Sequence, residues 1–100
     1  RAEVRFAAAD DRWLSTAHGR DSAYLAVHRY WRNDPQEYFD AVEQICLAHD
    51  GRPHWGKLHS LDAERFRTRY PRFDDFVALR DRLDPERRFG NRYLERVLGA

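Results

Sequence analysis

An α+β fold is predicted by three features of the sequence. Two short stretches, Glu3 to Ala8 and Ala23 to Trp31, alternate apolar and polar residues with a period of two; four later stretches read as helices; and Gly, Pro and Asp punctuation separates them in the order β-β-α-loop-α-α-α. The 100 residues suit a single small domain, near the size at which burial begins to sustain independent folding. Three Trp, five Tyr and six Phe supply core material although 35% of the residues are charged.

In the first strand Val4 and Phe6 point one way while Glu3, Arg5 and Ala7 point the other. In the second, Leu25 and Val27 share one face, and Tyr24, Ala26, His28 and Tyr30 share the opposite one. A long polar connection containing Asp10, Asp11, Ser15 and Gly19 lets the two strands pair as an antiparallel ribbon. Two strands alone are marginal, so the ribbon needs a helix cover or a larger sheet.

The first helix has the clearest start. Asp34 is a good N-cap, Pro35 fits the first helical position, and Glu37 completes a capping-box pattern. Tyr38, Val42, Ile45, Cys46 and His49 form its apolar stripe, and Gly51 reads as the C-cap glycine. Gly51-Arg52-Pro53-His54-Trp55-Gly56-Lys57 is too rich in Gly and Pro to be regular. A short helix follows over Asp62 to Arg69 and another over Arg72 to Leu83, with Phe73, Phe76, Val77 and Leu83 facing inward. Asp84-Pro85 stops it. Asn91 to Leu98, carrying Tyr93, Leu94, Val97 and Leu98, closes the chain.

Composition narrows the function. Lys and Arg total 18 against 17 Asp and Glu, a net charge of +1, which lacks the basic excess of a nucleic-acid or anionic-membrane binder. The Arg-rich stretch from Arg65 to Arg88 is interleaved with Asp and Glu and reads as a solvated, ion-paired face. Cys46 is the only cysteine, so no intrachain disulfide forms and a reducing, cytoplasmic setting is expected. It reads as a buried structural thiol. His49, His54, His59 and Cys46 match no common metal-ligand spacing, and no metal is expected. The five Gly are scattered singly, so no glycine-rich loop cradles a dinucleotide. The absence of Met and an opening on Arg1 inside a strand read as part of a longer polypeptide.

The polar strand face, with Glu3, Arg5, His28 and Tyr30, is the candidate site. Spacing alone favours a solvated sheet surface, and the same face could instead floor an active site. In the His54-Trp55-Gly56-Lys57 loop, Gly56 permits close backbone approach and Lys57 places an ammonium beside it.

Glu3-Val4-Arg5-Phe6, Ala8-Ala9-Asp10-Asp11, Trp13-Leu14-Ser15, Ala26-Val27-His28, Gly51 to Lys57, Arg69-Tyr70-Pro71-Arg72-Phe73, Leu83-Asp84-Pro85 and Phe89-x-Asn91-x-Tyr93-Leu94 together resemble the aldonolactone oxidase group. That group includes D-arabinono-1,4-lactone oxidase, L-gulono-1,4-lactone oxidase or dehydrogenase, and alditol oxidase. The resemblance runs in order through essentially the whole chain. The Glu-Val-Arg strand and the Pro-His-Trp-Gly-Lys loop are specific together; the tail is shared more widely among FAD-linked oxidases.

The resemblance implies a flavoprotein of the vanillyl-alcohol-oxidase type, of which this chain is the end of the cap, or substrate, domain plus the C-terminal helical tail. The FAD-binding domain would be absent from it and would be its partner. Glu3, Arg5 and Lys57 then match catalytic and substrate-facing positions, and His28 a further substrate-pocket position. Lys57 and His54 lie toward the cofactor, FAD. The implied reaction is oxidation of a CH–OH group of a sugar lactone, or of a polyol as in alditol oxidase. Membrane association of the full-length protein is a further implication, although no anchor is visible here. Separated from such a domain, the chain is expected to be inactive and to form a homodimer through an exposed sheet edge or its flavin-facing surface.

Overall fold

The computed structural model describes residues 1–100. It has two strands and four helices: β1 (Ala2–Ala7), β2 (Ser22–Val27), α1 (Gln36–Ala48), α2 (Ala63–Arg67), α3 (Phe73–Leu83) and α4 (Arg92–Leu98). The α+β class stands. The chain divides into two compact units, one of residues 1–11 and 15–59, the other of residues 12–14 and 60–100.

In the first unit β1 and β2 pair antiparallel, with Glu3 opposite Ala26, Val4 opposite Leu25 and Arg5 opposite Tyr24. Opposed residues share a face, so Glu3, Arg5, Tyr24 and Ala26 line one side while Val4, Phe6 and Leu25 line the other. The alternation read from the sequence therefore survives pairing. The expected cover does not appear. Val4 is 55%, Leu25 59% and Phe6 83% exposed, so the apolar face stands open. β2 ends at Val27, which leaves Tyr30 and Trp31 beyond the ribbon and not on its polar face.

The connection between the strands is bound to itself. Asp10 donates its N–H to the carbonyl of Ala17 (3.1 Å) and accepts from Gly19 N–H (2.9 Å), while the Asp21 carboxylate accepts from Ala9 N–H (2.9 Å). Ser15 Oγ donates to the Asp10 carboxylate. These bonds occupy backbone groups that a loose loop would leave to water.

At the start of α1, Asp34 Oδ1 accepts from Gln36 N–H at 3.0 Å, and Pro35, in helical conformation, presents its carbonyl to Phe39 N–H at 2.9 Å; the capping box expected with Glu37 does not form. Its buried side is rotated from the expected stripe. Leu47 is the buried residue, and Ile45 is 63% exposed. Cys46 is half-buried.

The helix ends in a Schellman turn, with Gly51 N–H on the Cys46 carbonyl (2.7 Å) and Asp50 N–H on the Leu47 carbonyl (3.2 Å). The left-handed residue is Asp50, at φ 58°, and not Gly51. Gly51 is required for another reason: a Cβ there would meet the Cys46 carbonyl oxygen at 2.6 Å.

The second unit carries the denser core. Leu61, Phe66, Phe73 and Val97 are fully buried, and Tyr70 and Leu98 nearly so. Asp62 caps α2 by accepting from Arg65 N–H at 3.0 Å, and Asn91 caps α4 by accepting from Leu94 N–H at 2.9 Å. Phe66 and Tyr70 rings pack at 6.0 Å, and the Arg72 guanidinium lies over Trp13 at 4.7 Å. In α3 Phe73 turns inward with Phe76 and Val77 half-buried, but Leu83, expected inward, is 71% exposed at the helix end.

The arginines pair with acids as their interleaving suggests: Arg67 with Asp74 (2.7 Å), Arg72 with Asp75, Arg87 with Asp81 (2.7 Å) and Arg88 with Glu86 (2.7 Å). No helix is long and apolar enough to cross a membrane.

Candidate active site

All five residues singled out from the sequence lie in the first unit: Glu3, Arg5, His28, His54 and Lys57. Glu3 and Arg5 are two apart on a strand, so they project from the same face, and Arg5 Nη2 meets Glu3 Oε2 at 3.3 Å. Arg1 approaches the other Glu3 oxygen at 3.8 Å. The carboxylate thus sits between two guanidinium groups, with its side chain 37% exposed against 80% for Arg5. An ion pair this open contributes little to folding.

His28 lies one residue past β2 and donates its N–H to the Arg1 carbonyl at 2.8 Å, which continues the ladder. That pairing puts it at the Arg1 end of the same polar face, fully in line with the alternation. Its ring is exposed.

His54 and Lys57 stand on the loop that follows α1. Lys57 N–H donates to the His54 carbonyl at 3.1 Å, and His54 Nδ1 accepts from Gly56 N–H at 3.0 Å. The ring of His54 is therefore engaged in closing its own turn, with Nδ1 accepting from the Gly56 N–H. A Cβ at Gly56 would meet only the His54 ring, at ordinary contact distance. Nothing within this unit makes the close approach that Gly56 would allow. Lys57 is exposed and forms no ion pair in the structure.

The structure therefore brings Glu3 and Arg5 into contact and places His28 on their face. It places His54 and Lys57 together on a separate loop, which no hydrogen bond or ion pair joins directly to the β1 pair. His49, His54, His59 and Cys46 do not converge into a ligand set. A shallow surface depression lies at the other end of the ribbon, lined by Phe6, Ala7, Ala8, Asp21, Ser22 and Ala23. None of the five residues lines it, so the polar groups stand on an open face.

Two arginines to which the sequence assigned no role attach this loop to the ribbon's connection. Arg52 donates to the carbonyls of His18 (2.8 Å) and Thr16 (3.3 Å), and Arg20 donates to the carbonyl of Asp50 (2.7 Å). The hydroxyl of Thr16 is hydrogen-bonded to that of Tyr24. Guanidinium-to-carbonyl contacts leave no spacing signal; the only hint was a basic residue wedged between Gly51 and Pro53.

Comparison with known proteins gives these groups a context. The family described as D-arabinono-1,4-lactone oxidase matches residues 2–97. An L-gulono-1,4-lactone dehydrogenase of Mycobacterium tuberculosis is 57% identical over 97 residues, which is 97% of this chain and 23% of that protein. An alditol oxidase of a Streptomyces species is 42% identical over 99 residues, covering 96% of this chain and 23% of the relative. An L-gulonolactone oxidase of Scyliorhinus torazame is also 42% identical, over 95% of this chain and 22% of its own length. The chain thus spans less than a quarter of these curated relatives. With the match running almost from end to end and taking in both the β1 pair and the Lys57 loop, the chain belongs to the D-arabinono-1,4-lactone oxidase family.

Proposed function

We propose that the chain forms the C-terminal, substrate-facing part of an FAD-dependent oxidoreductase that oxidises a CH–OH group of a sugar 1,4-lactone of the D-arabinono or L-gulono type. The observation that carries this reading is the Glu3–Arg5 pair, held 3.3 Å apart on one strand face, within a chain matched by the family over residues 2–97. A polyol would meet the same residues, which makes alditol oxidation the neighbouring alternative.

The residues present fit one wall of a flavin site and not its cradle. Arg5 and Lys57 are exposed cations, whereas the five scattered Gly form no phosphate-binding loop. The remainder of the FAD site would belong to an N-terminal FAD-binding domain. When bound, FAD would supply the hydride acceptor.

Arg5 and Lys57 would then stabilise the negative charge that develops as the carbinol is oxidised, or orient the sugar hydroxyls. Glu3, braced by Arg1 and Arg5, accepts a hydrogen bond from a substrate hydroxyl. His28 adds a polar contact along the same face. The proton leaving the hydroxyl requires a base within hydrogen-bond reach, and Glu3, Lys57 and His28 are the candidates. His54 shapes the turn that presents Lys57.

The test uses the full-length flavoprotein. Lys57→Ala should lower turnover on a sugar lactone by on the order of 10²-fold, the usual loss when one transition-state charge contact is removed. His59→Ala should lower it much less. Equal turnover in the two variants rejects the assignment of Lys57.

A different observation favours a second reading for the chain on its own. Val4, Phe6 and Leu25 are exposed on a ribbon whose two strands are both edges. Such a surface pairs readily with a copy of itself, giving a non-catalytic homodimer. Light scattering of the isolated chain with added FAD should then give a dimeric mass and no flavin absorbance comigrating with it. A monomer that retains flavin would reject this reading.

A further inference from the structure

The two halves of the proposed site lie on elements far apart in sequence, Glu3 and Arg5 on β1 and Lys57 beyond α1, and apolar packing does not fix them to each other. In this unit only Ala17 and Leu47 are buried hydrophobic residues. A path of strand pairing and hydrogen bonds does connect the two halves. Tyr24 stands opposite Arg5 in the ribbon, on the same face. Its hydroxyl is bonded to that of Thr16. The carbonyls of Thr16 and His18 both accept from Arg52 Nη1, and Arg52 begins the loop that ends in Lys57.

Further hydrogen bonds tie each end of this path. On the ribbon side, the Thr16 turn is tied to β1's exit through Asp10 N–H on the Ala17 carbonyl and Gly19 N–H on the Asp10 carbonyl. On the loop side, the backbone before Arg52 is fixed by the Schellman turn and by Arg20 on the Asp50 carbonyl. Pro53 follows with its φ set by the ring. Beyond it, the His54–Gly56 and Lys57–His54 bonds close the turn. Arg52 thus reaches from the loop to the ribbon's connection, and Arg20 reaches back from that connection to the residue before the loop.

We infer that Arg52 is a positioning residue: by clasping the Thr16 and His18 carbonyls, it sets the distance between Lys57 and the Glu3–Arg5 pair. The inference rests on the proposed function for its catalytic consequence, although the clasp itself does not. Both bonds come from Nη1, whose two N–H groups lie in the fixed guanidinium plane, whereas a lysine ammonium carries its donors on a shorter, freely rotating stem. Misplacing a reacting group by about 1 Å costs on the order of 10²-fold in rate. Arg52 would therefore influence turnover without touching substrate.

The experiment is made on the full-length flavoprotein with Arg52→Lys, and with Tyr24→Phe as a milder cut at the other end of the same path. Hydrogen exchange of the Gly56 and Lys57 amides is read together with kcat and KM for a sugar lactone. Arg52→Lys should speed exchange at both amides by roughly tenfold or more and lower kcat by about 10–100-fold, with KM changed less than about threefold. Tyr24→Phe should shift both quantities in the same direction by less. In a Lys57→Ala background, Arg52→Lys should cost no further turnover, because its effect passes through Lys57.

Unchanged exchange at Gly56 and Lys57 in Arg52→Lys overturns the clasp. Faster exchange with full turnover overturns its catalytic role, provided Lys57→Ala is damaging. If the Arg52 variant does not fold, Tyr24→Phe decides by the same two readouts. Should Lys57→Ala itself leave turnover intact, the proposed function fails, and the exchange data still test the clasp.

Discussion

The helical unit of residues 60–100 and the ribbon unit that carries the candidate site are built by different means. In the helical unit, Leu61, Phe66, Tyr70, Phe73, Val97 and Leu98 are buried, and each of the two short helices α2 and α4 has a side-chain N-cap. In the ribbon unit only Ala17 and Leu47 are buried among the hydrophobic residues, while Val4, Phe6, Leu25 and Ile45 are mostly exposed. What the ribbon unit has in place of a core is backbone and guanidinium hydrogen bonding around Asp10, Thr16, Asp50 and Arg52. Apolar burial is non-directional and tolerant of small shifts in position. Hydrogen bonds are short and angular. The unit that carries the candidate site is therefore held mainly by directional bonds, and the helical unit mainly by apolar burial.

The largest effect that would sharpen this contrast is Phe66→Ala. Emptying a fully buried aromatic site should cost about 3–5 kcal/mol, read as a fall in the denaturation midpoint. A cost below about 1 kcal/mol would mean the helical unit is not held mainly by apolar burial.

Gly51→Ala probes the other unit. A Cβ 2.6 Å from the Cys46 carbonyl oxygen must displace backbone, at about 1–3 kcal/mol. The same change should accelerate amide exchange from Asp50 to Lys57. Full retention of both stability and protection would show that the Schellman turn can open without consequence.

Phe6→Ser should cost under about 0.5 kcal/mol, because the ring is already 83% exposed. If the isolated chain self-associates through this face, the same substitution should weaken the dimer, as measured by sedimentation. A loss of several kcal/mol would show that the apolar face is covered within the chain.

The smallest effect is a pH dependence in the helical unit. Burial raises the Tyr93 phenol above its usual range, against the opposing charge of Arg96. Because the folded-state value is the higher one, the folded state holds its proton more tightly than the unfolded chain. Tyr93's contribution is complete below pH of about 10 and is lost as pH rises through the folded-state value. Tyr93→Phe should flatten that part of the alkaline stability profile; an unchanged slope would assign it to other groups.

Element positions were legible from the sequence wherever side chains act locally. Asp34, Asp62 and Asn91 announce helix starts by competing for backbone N–H groups, and each accepts such a bond in the structure. The ribbon faces were legible from alternation, which is why Glu3, Arg5 and His28 fall in line. Burial was less legible because periodicity describes an element and not what lies against it. Thus Ile45 and Leu83 satisfy the helical pattern and still face water, while Leu47 is buried off the expected stripe. Gly51 looked like the left-handed residue, but Asp50 takes that conformation and Gly51 answers a steric demand from Cys46. The Arg52 contacts were invisible for a simpler reason: their acceptors are backbone carbonyls, which every residue owns.

The ribbon's register also turns the candidate chemistry into a matter of parity. Odd-numbered residues of β1 carry the polar face and even-numbered ones the apolar face, through six opposed pairs. Any third strand that pairs with either edge must choose between two alignments one residue apart. One alignment extends the row of Glu3 and Arg5 with its own polar residues; the other sets those residues against Val4 and Phe6. Insertions of two residues within β1 would preserve that choice, whereas a single inserted residue would exchange the two faces while leaving the amino-acid composition almost untouched.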